Sequence, residues 1–173
     1  MDLKKYVRSI PDWPIKGVIF RDLTTLMKDP KAFKESCDIF YRRYKDMKID
    51  KVVGIDARGF VFGAVLAYHL GVGFVPVRKK GKLPAETVEE SYVLEYGSGT
   101  LEIHKDAIDK GDRVVIVDDL IATGGTVGAT VLLVRGLGAE ILECAFLIEL
   151  PDLKGRKRIA DCKIFAMMEF EGD

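Results

Sequence analysis

Thirteen consecutive residues constrain this chain more than any other stretch: Val114-Val115-Ile116-Val117-Asp118-Asp119-Leu120-Ile121-Ala122-Thr123-Gly124-Gly125-Thr126. The first four are apolar and β-branched, the pattern of a strand buried on both faces. Small residues follow at 122–126, just before a helical pattern that runs from about Thr126 to Gly136. The backbone N–H groups of such a loop, with the positive end of the helix behind them, can wrap a phosphate. Thr123 and Thr126 add hydroxyl donors, and Gly124 and Gly125 let the backbone approach an anion closely. Asp118 and Asp119 would repel a phosphate in direct contact. They suit the hydroxyls of a ribose, which donate hydrogen bonds to carboxylates, and would stabilise positive charge developing on a sugar ring. A glycine turn at a helix start and two solvated acids would explain each piece alone. Strand, paired acids, Thr-Gly-Gly-Thr loop and helix in this order read as a phosphoribose site.

The rest of the chain supplies a scaffold for that loop. The first part, to about Leu26, reads as irregular, punctuated by Pro11, Pro14 and Gly17. Asp29 and Pro30 form a helix entry. Phe33, Cys37, Phe40, Tyr41 and Tyr44 then recur at helical spacing to about Lys45. Residues 51–55 read as a short buried strand, 60–70 as a helix ended by Gly71, and 73–77 as a second strand. A polar stretch from 78 to 90 precedes an antiparallel pair, 92–95 and 100–103, turning around 96–99. Strands at 113–117, 140–150 and 163–168 and a helix over 152–160 complete the pattern. Strands alternating with helices predict an α/β fold, a twisted parallel sheet flanked by helices. Ligands of such sheets bind beyond the carboxyl ends of the strands, and the loops after Ile55, Val77 and Val117 leave from that edge.

At 173 residues the chain fits a single domain spanning 1–173. Its formal net charge is zero, whereas a general nucleic-acid binder carries a basic excess, so no nucleic-acid partner is expected. Cys37, Cys144 and Cys162 are scattered, with no CxxC pair and neither His69 nor His104 near them in sequence, which argues against a zinc site or a disulfide framework. Cys144, in an apolar run, reads as a buried structural thiol. The opening residues show no secretory h-region and no apolar stretch reaches membrane-spanning length. The expectation is a cytoplasmic protein without membrane partners. Two nucleotide motifs fail on inspection. Gly71-Val72-Gly73 precedes a strand and lacks a third glycine, and Gly54 and Gly59 have Walker spacing but are followed by Phe60-Val61 rather than Lys-Ser/Thr.

The segment 114–126 resembles the phosphoribosyl-pyrophosphate-binding signature of the type I phosphoribosyltransferases. Other segments resemble the adenine phosphoribosyltransferases among them. Gly54-Ile55-Asp56-Ala57-Arg58-Gly59-Phe60 is similar to their pyrophosphate loop, and Arg78-Lys79-Lys80-Gly81-Lys82-Leu83-Pro84 to the basic segment before their mobile loop. Ser91-Tyr92-Val93-Leu94-Glu95-Tyr96-Gly97 and Leu101-Glu102-Ile103-His104-Lys105-Asp106 are similar to that loop, and Gly17-Val18-Ile19-Phe20-Arg21-Asp22 to their purine-side hood. The likeness runs from about Pro11 to Glu149. Ala57 departs from it, since many relatives carry serine there, which bears only on a side-chain hydroxyl contact. The resemblance implies the type I phosphoribosyltransferase fold with an amino-terminal hood over about 1–28 and a mobile β-hairpin catalytic loop over about 78–105.

It also implies residue roles. Asp118, Asp119, Ala122, Thr123, Gly124, Gly125 and Thr126 would bind the phosphoribose. Arg58 and Lys79 would meet the departing pyrophosphate. Ile19, Phe20 and Leu120 would sandwich adenine, with Arg58 along it. Glu95 would trade a proton with a purine nitrogen and Tyr96 would close over the reacting centre against water. The implied substrates are adenine and phosphoribosyl pyrophosphate, the products AMP and pyrophosphate. Mg2+ would be held mainly by substrate oxygens and water, without a protein cage, and the assembly would be a homodimer with the segment after Arg58 near its interface. Two rival readings remain from the sequence: a transferase for a 6-oxopurine, and a non-catalytic regulator that senses phosphoribosyl pyrophosphate.

Overall fold

The computed structural model describes residues 1–94 and 97–172. The chain opens with a 3-10 turn, Leu3–Tyr6, and a two-stranded antiparallel hairpin, β1 (Arg8–Pro11) and β2 (Ile19–Asp22), paired from Arg8↔Asp22 to Pro11↔Ile19. Two helices follow, α1 (Thr24–Lys28) and α2 (Pro30–Tyr44). Then come β3 (Lys51–Ile55), α3 (Arg58–Leu70), β4 (Gly73–Lys79), the hairpin β5 (Thr87–Leu94) and β6 (Gly97–His104), β7 (Arg113–Ile121), α4 (Gly125–Gly136), β8 (Glu140–Glu149) and β9 (Ile164–Glu169). The main sheet runs β5-β6-β4-β3-β7-β8-β9. β4, β3, β7, β8 and β9 are parallel, whereas β6 pairs antiparallel with both β4 and β5.

Local chemistry explains these elements. The Asp29 carboxylate accepts the N–H groups of Lys31 at 3.0 Å and Ala32 at 2.9 Å, capping α2 with Pro30 in its first turn. Gly71 stops α3 in the left-handed conformation, φ 68°. Along β7, Val115 and Val117 face the layer of α2 and α3, while Val114 and Ile116 face that of α4. All four are fully buried, so an uninterrupted apolar run is what this central strand requires. β3, β4 and β7 leave the sheet at the same edge.

Three expectations from the sequence are corrected. The segment before Leu26 is not irregular. It holds β1, β2 and the start of α1, and the strands, four residues each, are too short to show a period. The β5–β6 hairpin is longer than the expected 92–95 with 100–103, and Gly97 to Gly99 lie inside β6 rather than in a turn, paired with Leu94, Val93 and Tyr92. Gly99 has a packing cause: a Cβ there would run into the Tyr92 ring and hydroxyl. The helix expected over 152–160 is a pair of 3-10 turns, Pro151–Leu153 and Gly155–Ile159, split at Lys154, whose φ is 56°.

Candidate functional site

β7 continues to Ile121, four residues past the apolar run, and so carries Asp118 and Asp119 on a strand rather than in a loop. Beyond it, residues 122–124 turn into α4. Gly124 is left-handed, φ 81°, and no side chain caps the helix. The first-turn N–H groups of a helix lack internal acceptors; here they border a cavity of about 520 Å3. Ala122, Thr123, Gly124, Gly125 and Thr126 all line it, together with Asp118 and Asp119.

The two acids have different surroundings. Asp118 is buried, and its carboxylate accepts the Asp119 N–H at 2.8 Å. Burial, then the neighbouring Asp119 charge, pushes the Asp118 carboxyl well above the usual carboxylate range. Asp119 contacts the Arg58 guanidinium through Oδ2. Burial works against the charge on Arg58, but Asp119 and Asp118 outweigh it and raise its pKa. Arg58 stands in the first turn of α3, where Gly59 sits against β7. A Cβ on Gly59 would lie 2.7 Å from the Val117 carbonyl and 3.0 Å from Asp118 Oδ1.

The opposite wall is the hood. Ile19, Phe20 and Arg21 of β2 line the cavity, as does Leu120 of β7. Phe20 packs edge-on against Trp13, centroids 4.5 Å apart, and the Arg58 guanidinium carbon lies 6.0 Å from its ring centre. The hood hairpin is pinned by Asp22, which accepts Arg8 Nη2 at 2.5 Å and Thr24 Oγ1 at 2.7 Å. Those bonds, that from Thr24 first, lower the Asp22 carboxyl to about 2. Lys79 closes the cavity from the end of β4, with no ion-pair partner among the described residues. The basic turn after it is held by Glu102. Burial pushes that carboxyl up, but the backbone N–H groups it accepts, including Leu83 at 2.8 Å and Lys82 at 3.1 Å, more than offset this and leave it lowered.

One cavity therefore gathers Ile19, Phe20, Arg58, Lys79, Asp118, Asp119, Leu120 and residues 122–126, drawn from four separate parts of the chain. Glu95 and Tyr96 lie outside the described residues. Sequence reasoning missed Asp56, Leu150 and Leu153, which also line the cavity. Asp56 accepts Arg78 Nε at 3.1 Å. A signal for it existed in its place within the pyrophosphate-loop segment. Leu150 and Leu153 come from the connector after β8, and nothing in their local pattern points to a site.

Residues 22–172 match the family model described as the phosphoribosyl transferase domain. The chain is 66% identical over 173 residues to adenine phosphoribosyltransferase of Desulfosudis oleivorans, each chain covered in full. It is similar to the crystal structure of adenine phosphoribosyltransferase from Thermoanaerobacter pseudethanolicus, with a TM-score of 0.94, 51% identity and 98% of each chain covered. It is also similar to the Saccharomyces cerevisiae enzyme complexed with an imino-altritol bisphosphate and adenine, with a TM-score of 0.91, 43% identity and coverage of 96% of this chain and 97% of that one.

Proposed function

The chain belongs to the adenine phosphoribosyltransferases, which move the 5-phosphoribosyl group of phosphoribosyl pyrophosphate to adenine in purine salvage, and from that premise we propose that the cavity at the end of β7 is where it makes AMP and releases pyrophosphate. The observation that carries the proposal is the convergence of an uncapped helix start, the paired acids Asp118 and Asp119, the cations Arg58 and Lys79 and an apolar hood on one cavity. The amides and hydroxyls of residues 122–126 hold the 5-phosphate. Asp118 and Asp119 take the ribose hydroxyls. Ile19, Phe20 and Leu120 sandwich adenine, and Arg58 and Lys79 meet the pyrophosphate.

As the bond from the anomeric carbon to pyrophosphate breaks, the ring gains positive charge facing the acids, and the electron pair leaves with pyrophosphate toward the cations. A purine nitrogen attacks from the opposite face to form the glycosidic bond, and Glu95 receives the proton this releases. Tyr96 covers the centre so that water does not compete. Positioning and electrostatics supply most of the acceleration.

Mg2+ is part of this proposal. Asp56 and Asp119 are engaged by Arg78 and Arg58, and among the described residues no three metal-ligating side chains cluster. That donor set fits an ion carried mainly by pyrophosphate oxygens and water, which of the chain's own residues Asp118 or Asp119 would help to hold. Bound there, magnesium would offset the charge of the pyrophosphate. The same reading makes the enzyme a homodimer, supported by exposed Val61 and Tyr68 on α3, the helix that follows Arg58. It also places the enzyme in the cytoplasm, where the three free cysteines stay reduced.

Glu95→Gln tests the chemical assignment. Turnover should fall at least a hundredfold, with calorimetric affinity for phosphoribosyl pyrophosphate within about twofold of the parent. Parental turnover would remove Glu95 from the mechanism. A pyrophosphate-release assay with adenine, hypoxanthine, guanine and xanthine in parallel should register adenine alone.

A further inference from the structure

The connector between β8 and β9 presses on the back of the loop at 122–124. Its Gly155 is buried, and a Cβ built there would collide with the Ala122 carbonyl oxygen. The same Cβ would lie 2.9 Å from Ile121 Cγ1 and 3.1 Å from the Gly124 nitrogen. The approach is mutual, because a Cβ on Gly124 would lie 2.5 Å from the Gly155 carbonyl oxygen and 3.1 Å from its Cα. Backbone thus meets backbone without a side chain between them, and the nearest atom an added Cβ meets on either side is a main-chain oxygen, which has no rotamer through which to yield.

The connector is itself anchored on both sides of this contact. Leu150 N–H donates to the Ile121 carbonyl at 3.0 Å. Arg156 makes two bonds of 2.6 Å to the Glu149 carboxylate, and Ile159 is buried in the α4-side core. From these contacts we propose that Gly155 is a positioning residue: its bare backbone forms a fixed backstop that sets where the N–H groups of 122–126 stand, and hence how tightly the 5-phosphate is held. The proposal rests on the phosphate role given to that loop. The residue touches no substrate and acts through Ala122 and Gly124.

A phosphate grip present in both the bound and the transition state affects KM rather than kcat. Gly155→Ala should therefore raise KM for phosphoribosyl pyrophosphate and Kd for ribose 5-phosphate roughly tenfold, as for one charge-assisted hydrogen bond lost. Its kcat and its KM for adenine should stay within about twofold of the parent. Unchanged ribose 5-phosphate affinity in the folded variant would overturn the proposal, as would an equal loss for adenine. Should Gly155→Ala fail to fold, Arg156→Gln decides: it frees the connector without adding an atom at the contact. Weakened ribose 5-phosphate binding supports the backstop, and parental binding overturns it. Thr126→Ala separates the two layers of the argument. If it weakens ribose 5-phosphate while Gly155→Ala does not, only the backstop is wrong; if neither does, the loop's phosphate role is wrong.

Discussion

Asp118 illustrates a residue whose surroundings oppose its own charge. It is buried beside Asp119, and its carboxyl titrates well above the range of an exposed aspartate. An acid with a raised native pKa binds more protons folded than unfolded at mildly acidic pH. Its cost to stability therefore appears as pH rises from the unfolded value of about 4 through the raised native one, and persists above it. Asp118→Asn keeps an oxygen for the Asp119 N–H and removes the charge. At neutral pH the unliganded variant should melt a few degrees higher than the parent in calorimetry, while its kcat/KM for phosphoribosyl pyrophosphate falls. A lower melting temperature would contradict this account.

At the scale of elements, the hood depends on Asp22. Its carboxyl is lowered to about 2 by Thr24 and Arg8, so the sign is opposite to that of Asp118. Its contribution is complete above an unfolded pKa of about 4 and is lost as pH falls toward 2. Asp22→Asn should lower stability at pH 7 by on the order of 1–2 kcal/mol, with the gap to the parent closing toward pH 2 in denaturant titrations. A gap that is constant with pH would exclude the ionised carboxylate as the source. The hood also marks how far local sequence carries. The Asp29-Pro30 entry of α2, the Gly71 stop and the β7–loop–α4 unit are encoded by neighbours a few residues apart, and could be read. The β1–β2 hairpin is closed by Arg8 and Asp22, fourteen residues apart, and its strands are too short to show a pattern. The 3-10 connector answers to Gly124 and Ile121, far back in the chain.

Across the whole molecule, five parallel strands give the site its rigid edge, and the order of the strands brings distant segments together. The candidate residues that the cavity gathers were recognisable because motif chemistry and topology pointed to the same edge. Their mutual contacts were not, since Arg58 and Asp119 lie 61 positions apart. Away from the cavity, Val61 is 38% and Tyr68 83% exposed on α3, an apolar stripe suited to a second copy of the chain. If the proposed homodimer forms through this face, the parent should sediment as a dimer and the pair Val61→Lys and Tyr68→Glu as a monomer in sedimentation velocity. Dimers that persist at micromolar concentration would place the interface elsewhere.

The contact between Arg58 and Asp119 makes the binding site its own first occupant. On the proposed assignment, a sugar diol reaching Asp119 would have to displace the guanidinium seated there, and the displaced cation would be free to turn toward whatever enters under Phe20. Arrival at one end thereby readies the other, so the nucleobase should find its berth only after the sugar has taken its own. Adenine titrated into the unliganded protein should give little heat, and titrated after ribose 5-phosphate, a clear isotherm.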